Sequence, residues 1–275
     1  MPVLVQKTRT LSRVFQQAGA GGAFSLMLQK LRMTWRSGEV WELGKFVGRS
    51  SKIARVDGCK FTIDPAVVPD NVAYLLLTNE YEYAEREALK RFLDHDVPVV
   101  ELGACVGVVS CLTNRRLRDP ERHVVVEANP ALLPLLEENR IRNGCRFKVV
   151  HAALAHGVET VTFNVSDNVL ASSLHGEQER GVIVPAVALA QLLNENGFTR
   201  ATLVCDIEGA ELQLVEHELP TLSKRIVAII METHERLVGE EPTREMFGRL
   251  RSAGFELVHE DGDVAVLLNR GTSYA

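Results

Sequence analysis

VVELGACVG, residues 99–107, combines a short apolar strand, a glycine turn and the start of a helix. The first four residues are apolar apart from Glu101, which predicts a buried strand, and Gly103 opens a tight turn directly after it. A strand, a glycine turn and a helix N-terminus in succession form a corner that binds nucleotides. Gly103 and Gly107 alone do not identify the nucleotide, because many strand-to-helix turns need glycine for conformational reasons.

The chain beyond Pro98 alternates between apolar runs and amphipathic segments. Runs such as Val124–Val126 and Ile226–Ile230 are apolar on both faces, which is typical of parallel strands covered by helices. The segments Phe255–His259 and Val264–Leu268 flank a turn sequence and predict an antiparallel hairpin. We therefore expect a doubly wound α/β fold with a mostly parallel sheet and an antiparallel C-terminal hairpin. The other predicted elements are strands at 98–102, 123–127, 147–152, 202–206 and 226–232, an extended segment at 161–165 and a helix at 186–196.

The N-terminal part of the chain has a different pattern. Residues 11–36 have helical periodicity broken by glycines, which predicts two short helices. Residues 53–63 alternate around Asp57-Gly58, a dipeptide that favours a two-residue hairpin turn. A loop containing Pro65 and Pro69 follows. We expect residues 1–79 to form a helical and β-hairpin extension and residues 80–275 to form the main domain.

A charged amphipathic helix is predicted to open the main domain, over Glu80–Asp94. Its apolar positions recur at helical spacing, so we expect them to form the face that packs on the core. These positions are Tyr83, Ala84, Ala88, Leu89 and Phe92.

Composition narrows the class of protein. Hydrophobic residues make up 46% of the chain and charged residues 24%, as in globular proteins. The five cysteines form no CxxC pair, which argues against a zinc site or a disulfide framework. The sequence contains no apolar stretch of about 18 residues that would span a bilayer, and Lys7, Arg9 and Arg13 interrupt any signal-peptide core. We therefore expect a cytoplasmic protein.

Charge is distributed unevenly along the chain. The net charge is −5, but residues 1–38 carry six basic and no acidic residues, which leaves 25 basic and 36 acidic residues elsewhere. This basic start favours a solvated helical extension packed on the main domain, with peripheral contact to a membrane surface or an acidic partner as the alternative. Aromatic residues make up 6%, and no basic run is interleaved with them, so the sequence does not indicate nucleic-acid binding.

The acidic residue at the end of the second strand narrows the choice of nucleotide. Glu127 lies 20 residues beyond Gly107, a spacing that suits a carboxylate accepting hydrogen bonds from ribose hydroxyls. The alternative is a solvated strand-end carboxylate. The turn lacks the G-x-G-x-x-G pattern of NAD enzymes. Its E-x-G-x-C-x-G pattern instead resembles the first motif of class I S-adenosylmethionine methyltransferases.

The later blocks resemble one family within that class, the FkbM methyltransferases, over about residues 80–235. Its most specific part is the D-x-E-G-x-E block at Asp206–Glu211. Family members more often carry Asp-Val-Gly-Ala-Asn in the first block, so Glu101 and Cys105 depart from the pattern, and Cys105 removes a side-chain amide. The resemblance rests, in order, on VVELGACVGVVS, VVVEANPALLPLLEENRIRNG, Ala152–Leu154, LVCDIEGAELQLVEHE and IIMETHE.

The resemblance implies a seven-stranded Rossmann-like methyltransferase sheet with S-adenosylmethionine across the carboxyl ends of its strands. Gly103 and Ala104 would let the backbone approach the methionine portion, Glu127 would hold the ribose, and Ala152 and Ala153 would lie beside the adenine. For Glu82, a helix-surface carboxylate is the alternative to a cofactor contact. The full predicted cofactor set is Glu82, Glu101, Gly103, Ala104, Gly107, Glu127, Ala128, Ala152, Ala153 and Asp206.

Catalysis would need a group that takes the acceptor's proton, since an aliphatic hydroxyl is a poor nucleophile. Asp206, Glu232 and His234 would converge on the reacting methyl group, and His234 is the preferred base because the ordinary histidine pKa lies near neutrality. The SSL step at 172–174 resembles the family's Ser-Ser-Leu step, so this loop is predicted to line the acceptor pocket, with an ordinary exposed loop as the alternative. The predicted substrate contacts are Ser172, Ser173 and Glu208.

Metal binding is an alternative that the spacing leaves open and that we do not favour. Asp206, Glu208, Glu232 and His234 would then bind a divalent ion such as Mg²⁺. Glu208 and Glu211 also fall in the first turn of a predicted helix, where acids interact favourably with the helix dipole.

The sequence as a whole thus predicts an S-adenosylmethionine-dependent methyltransferase that methylates a hydroxyl of a small molecule, such as a sugar or secondary metabolite. The alternatives are N-methylation and a non-catalytic cofactor-binding protein. The acids at Glu127, Asp206 and Glu232 argue against the latter, because binding without catalysis does not need all of them.

Overall fold

The computed structural model describes residues 52–164 and 181–271. It divides into two compact units, Met1–Tyr83 and Ala84–Ala275. The two helices predicted at 11–36 and the serines of the predicted acceptor loop lie outside the described residues. In the part of the chain that is described, no helix combines the length and apolar character needed to cross a membrane.

The described part of the first unit begins with the predicted hairpin. Strands β1 (Ile53–Val56) and β2 (Cys59–Thr62) pair antiparallel, and Asp57 and Gly58 have φ values of 46° and 85°. Positive φ at both central residues defines the turn type that matches the twist of a two-residue hairpin.

Helix α1, Asp70–Thr78, follows the hairpin in the chain. The predicted loop with Pro65 and Pro69 is present at residues 63–69, and Pro69 occupies the N-cap position of this helix, which was not predicted. The chain leaves this helix through Asn79, whose φ of 62° is left-handed.

Helix α2, Tyr83–Phe92, is shorter than the predicted Glu80–Asp94. Ala88 and Leu89 are buried as expected, but the prediction for Tyr83 is wrong, because its side chain is 52% exposed. The buried residues of this helix are Glu85, Arg86, Ala88 and Leu89, and Tyr83 is its first residue.

The second unit is built around a mixed sheet that contains seven of the described strands. Their spatial order is β11-β12-β10-β9-β3-β4-β5, with β5, β4, β3, β9 and β10 mutually parallel and β12 antiparallel to both β10 and β11. This confirms the predicted doubly wound sheet with an antiparallel C-terminal hairpin. The strands are β3 (Val99–Leu102), β4 (His123–Glu127), β5 (Lys148–His151), β9 (Ala201–Cys205), β10 (Ile226–Glu232), β11 (Phe255–Asp261) and β12 (Val264–Asn269).

Alternate side chains of the parallel strands enter two apolar layers, as the two-sided apolar runs predict. Val99 packs in one layer with Ala88 and Leu89 of helix α2, whereas Val100 packs in the other layer with Leu214 and Val215. The remaining helices are α3 (Val108–Asn114), α4 (Leu133–Arg142), α5 (Leu189–Glu195), α6 (Glu211–Arg225), α7 (Glu235–Val238) and α8 (Glu240–Ser252).

A second, three-stranded sheet lies between β5 and α5 in the chain. It has the order β6-β8-β7, from β6 (Ala153–Leu154), β7 (Thr160–Asn164) and β8 (Gly181–Val187). The extended segment predicted at 161–165 corresponds to β7. Strand β8 occupies the start of the helix predicted at 186–196, so that helix begins later, at Leu189.

The order of the strands fixes the location of a ligand site. The chain runs outward from β3 through β4 to β5 in one direction, and from β9 to β10 in the other. In doubly wound sheets the crevice at such a reversal, beyond the carboxyl ends of the strands, is the usual binding site. Here β3 and β9 are neighbours at the reversal, and their carboxyl ends are Leu102 and Cys205.

Candidate active site

A cavity opens at this reversal. Its walls come from the segments that follow β3, β4, β5 and β9, together with Phe163 of strand β7. Most of the lining is apolar, with the Glu127, Asp206 and Glu208 carboxylates as acidic groups. The lining residues are Leu102, Gly103, Cys105, Val126, Glu127, Ala128, Asn129, Leu132, Ala152, Ala153, Leu154, Phe163, Asp206, Ile207, Glu208 and Ala210.

The glycine turn after β3 packs directly on the loop after β9. Gly103 has a φ of 85°, and a Cβ atom built on it would lie 1.7 Å from the carbonyl oxygen of Asp206. The Asp206 N–H in turn donates to the carbonyl oxygen of Leu102 at 2.9 Å. Only glycine allows this approach, since ordinary carbon–oxygen contacts are more than 3 Å long.

The buried Glu127 carboxylate forms the wall on the β4 side. Its Oε2 accepts hydrogen bonds from the backbone N–H groups of Ala104 (3.1 Å) and Cys105 (2.7 Å), and Oε1 accepts one from Asn129 (2.7 Å). Burial raises the pKa of Glu127 to about 7, although these backbone donors act to lower it. Glu127 therefore holds the glycine turn in place and presents a titratable carboxylate to the cavity.

Cys105 occupies a strained position in this turn. Its φ of 50° is left-handed, a conformation that glycine and asparagine tolerate much better than other residues. Cys105 adopts this conformation at a cost of about 1 kcal/mol, and it lines the cavity.

Glu101 has a different environment from the one predicted. Its side chain is fully buried, where Oε1 accepts a hydrogen bond from Ser110 Oγ at 2.5 Å and Oε2 lies 3.1 Å from His123 Nε2. Both carboxylate oxygens are thus bound inside the protein, and Glu101 is not among the residues that line the cavity. It connects strands β3 and β4 with helix α3.

The remaining predicted cofactor residues divide into three groups. Ala128, Ala152 and Ala153 line the cavity, as does Asp206. Ala104 and Gly107 do not line it: Ala104 contributes the N–H bond to Glu127, and a Cβ on Gly107 would lie 2.6 Å from Leu136 Cδ1. Glu82, with a φ of 48°, belongs to the first unit.

The loop Asp206–Glu211 is held by its last residue. Glu211, the first residue of helix α6, accepts hydrogen bonds from the N–H groups of Ile207 and Gly209, each at 2.9 Å. A carboxylate at a helix start that binds preceding N–H groups satisfies donors the helix leaves free. Glu208 lies between them with a φ of 51°. Of the two acids predicted in the first turn of this helix, Glu208 and Glu211, it is therefore Glu211 that has the structural role.

His234, after strand β10, lies among three carboxylates. Its Nδ1 is 3.2 Å from Glu211 Oε1, and its Nε2 is 3.4 Å from both Asp206 Oδ1 and Glu208 Oε2. Burial alone would lower the pKa of His234, but the hydrogen bond to Glu211 and the three negative charges raise it to about 9. At neutral pH His234 is therefore a cation, and the reasoning that made it the preferred base does not hold.

Glu232 lines a second cavity next to the first. Its pKa is raised by burial and by the charges of Asp263 and Glu211, against the lowering effect of His234. The residues around this cavity are Glu208, Glu232, Thr233, His234, Arg236, Leu237 and Asp263. Glu208 lines both cavities, so the predicted substrate contact and the predicted catalytic residues do come together.

Comparison with known proteins identifies the family. The model of the methyltransferase FkbM domain matches residues 101–257, which is more than half of the chain and includes every residue that lines the first cavity. The chain belongs to the FkbM methyltransferase family. A search of curated proteins gives no match.

Solved structures similar to this FkbM methyltransferase share little sequence with it. The methyltransferase FkbM from Methylobacillus flagellatus KT has 15% identity and a TM-score of 0.43, over 72% of this chain and 53% of that one. A protein of the NADB-Rossmann superfamily from Streptococcus agalactiae has 10% identity and a TM-score of 0.43, over 70% of each chain. The ribosomal protein L11 methylase from Lactobacillus delbrueckii subsp. bulgaricus has 11% identity and a TM-score of 0.40, over 69% and 77%.

Several residues of the FkbM methyltransferase site were missed from the sequence. Asn129, Leu132, Phe163 and Ile207 line the first cavity. Asn129 and Leu132 follow strand β4 closely, so their position after a strand end was a usable signal. Phe163 reaches the cavity from the three-stranded sheet, which the sequence pattern did not predict.

Glu85 is the least expected member of the site. It is 3% exposed on helix α2, and no role was predicted for it from the sequence. Oxygen atoms of Glu85, Asp206 and Glu232 lie within 4.8 Å of one another, and so do ligand atoms of Asp206, Glu211 and His234. The all-oxygen group is the kind that suits Mg²⁺ or Ca²⁺, so the metal alternative involves Glu85 in addition to the predicted residues.

Proposed function

We propose that this FkbM methyltransferase uses S-adenosylmethionine to methylate a hydroxyl group of a small molecule. The observation that carries the proposal is the contact between Gly103 and the Asp206 carbonyl. It brings the glycine turn and the D-x-E-G-x-E loop together at the reversal of strand order, with the Glu127 carboxylate opposite. A backbone that a ligand can approach closely, beside one carboxylate at a strand end, suits an adenosine-containing cofactor.

The residues around the first cavity fit this donor. Glu127 would accept hydrogen bonds from the ribose hydroxyls, and the backbone of Gly103 would face the methionine portion. Apolar side chains would pack on the adenine; these are Ala152, Ala153, Leu154 and Phe163. When bound, the donor supplies a methyl group already activated by a sulfonium. Glu101 accepts internal hydrogen bonds with both oxygens, so we leave it out of the proposed contacts.

His234 and the acidic residues near Asp206 would hold the acceptor and the reacting methyl group in position. His234 carries a positive charge at neutral pH and is bound to Glu211, so we assign it the role of orienting the Asp206 and Glu208 carboxylates. Glu232 would contact the acceptor from the second cavity. A rigid arrangement is what this reaction needs most, since methyl transfer depends on in-line alignment of acceptor oxygen and methyl carbon.

A small-molecule acceptor agrees with the charge of the chain. Net charge is −5, and the second cavity carries three carboxylates, whereas a nucleic-acid acceptor would call for a basic surface. N-methylation and cofactor binding without catalysis are the outcomes against which the proposal is tested.

The first test is calorimetry with S-adenosylmethionine and, separately, with NAD. We expect binding of the former alone, and tight NAD binding would refute the proposal. Asp206→Ala should abolish turnover, with exposed Glu235→Gln as the matched control.

The second test is a methyl-transfer screen against hydroxyl and amine compounds, detected through S-adenosylhomocysteine. Transfer to amines alone would replace O- by N-methylation, and binding without any transfer would favour a non-catalytic protein. Activity lost in EDTA and restored by Mg²⁺ would add a metal to the mechanism.

A further inference from the structure

The second cavity lies at the end of strand β10, against the turn between β11 and β12. Thr233 fixes this arrangement, because its N–H and its Oγ1 donate to the carbonyl oxygen of Asp263 at 2.7 and 3.0 Å. Glu208 forms part of the lining of both cavities. A group in that position would contact an acceptor on one side and the proposed donor on the other.

We propose that the second cavity receives the methyl acceptor, a hydroxyl compound that is uncharged or cationic, and that the Glu208 carboxylate takes the acceptor's proton. The inference rests on the proposed function. It assigns the proton to a residue that the sequence placed among the substrate contacts, and it defines the class of acceptor by charge.

Among the acids that line the second cavity, Glu208 is the one that also lines the first. Both Glu211 oxygens accept backbone hydrogen bonds, and His234 is already protonated at neutral pH. Within the described residues, the Glu208 carboxylate has one ion-pair partner, His234 Nε2 at 3.4 Å, beyond the usual length of a hydrogen bond. Its side chain is 27% exposed, so an acceptor can reach it.

The backbone of Glu208 supports a functional role. A φ of 51° is strained for glutamate, and such strain is found mainly at sites where geometry is part of the mechanism.

The lining determines which acceptors are compatible. Three carboxylates face the second cavity, from Glu208, Glu232 and Asp263, against the positive charges of His234 and Arg236. The His234 charge is shared with Glu211 and Asp206 outside this lining, so the cavity as a whole is negative. An anionic acceptor would be repelled, and a hydroxyl compound with an amino group would be favoured.

The step balances in atoms and charge. The acceptor oxygen forms a bond to the methyl carbon as the carbon–sulfur bond breaks, with its electron pair remaining on sulfur. The acceptor's O–H bond breaks, and its proton passes to the Glu208 carboxylate. A sulfonium and a carboxylate thus become a neutral thioether and a neutral carboxylic acid, which is favourable in a partly buried site.

The test uses an acceptor found in the methyl-transfer screen and compares two variants. Glu208→Gln keeps the shape of the side chain, and Glu208→Gly also suits the left-handed backbone. We expect kcat to fall by about 10²–10⁴-fold in both variants, as is usual when a general base is removed. Added formate should restore part of the activity of Glu208→Gly. Glu235→Gln, exposed and outside both cavities, is the control.

Two results would overturn the inference while leaving the proposed function intact: parental kcat in Glu208→Gln, or a Glu208→Gly variant that formate does not rescue. By contrast, failure of the parent to bind S-adenosylmethionine or to methylate any acceptor would refute the function itself.

The charge preference is tested separately by saturation-transfer NMR on protein loaded with S-adenosylhomocysteine. Glucosamine and glucose should receive saturation and glucuronate should not. A signal from glucuronate, or none from glucosamine, would overturn the assigned acceptor class.

Discussion

Replacing Gly103 with alanine should damage both stability and donor binding. The added Cβ would lie 1.7 Å from the Asp206 carbonyl oxygen and 2.8 Å from its carbon. Restoring an ordinary contact would require the two loops to separate by about 1.5 Å. The left-handed φ of 85° adds about 1–2 kcal/mol for any residue with a Cβ. We expect a total loss of at least about 3 kcal/mol, as for overpacking at a buried backbone contact.

Gly144→Ala separates the two contributions. Gly144 also has a positive φ, 63°, but a Cβ there would meet nothing within 4 Å. This variant should lose only the conformational part, about 1 kcal/mol or 2–4 °C in Tm for a domain of this size, and should bind S-adenosylmethionine like the parent. Thermal unfolding and calorimetry measure both effects. If Gly103→Ala has the same Tm as Gly144→Ala and binds S-adenosylmethionine like the parent, the contact between the two loops does not organise the site.

The other predictions concern titration and strain in the same unit. Because the pKa of Glu127 is about 7, its ionised fraction rises about tenfold from pH 6 to pH 8, and S-adenosylmethionine should bind up to about tenfold more tightly at pH 8. Glu127→Gln should remove this dependence in calorimetry, and a dependence that persists in the variant would contradict the ribose assignment. The pKa of His234 is raised from 6.5 to about 9, so its contribution to stability should be complete below pH 6.5 and lost as pH rises through 9. In denaturant unfolding, His234→Asn should not show this loss of stability. If the variant shows the same loss as the parent, a group other than His234 causes it. Cys105→Gly should raise the free energy of unfolding by about 0.5–1 kcal/mol, because glycine relieves the strain of a φ of 50°. Cys111→Ala, in helix α3, is a comparison that lacks this relief. An unchanged or lower Tm of Cys105→Gly would show that the turn bears no strain.

The sheet could be predicted because its strands are defined by local composition. The predicted bounds 123–127 and 226–232 are those of β4 and β10, since a parallel strand covered on both faces needs an unbroken apolar run. The failures are also local. Strand β8 contains Pro185, which lowers any strand prediction, and β8 pairs with β7 across a long chain separation. Helix α1 was hidden because Pro69 was interpreted as part of a loop rather than as an N-cap.

The candidate site was predictable in position but not in chemistry. Strand ends are visible in a sequence, so Glu127 and Asp206 could be placed beside the first cavity. Protonation depends on neighbours from distant segments, and no spacing shows that Asp206, Glu208 and Glu211 all lie within 3.4 Å of His234. The burial of Glu85 also depends on packing against distant segments, and no role was predicted for it from the sequence.

The two signature loops are linked into one unit by polar contacts that leave few degrees of freedom. Glu127 binds the turn that contains Cys105, and Gly103 in that turn packs on Asp206. Glu211 then fixes the loop after Asp206 and binds His234. A shift of the glycine turn would therefore change the position of the His234 ring, and with it the ion pair to Glu208. Because the two cavities are coupled in this way, both should respond to substitutions at Gly103 or Glu211.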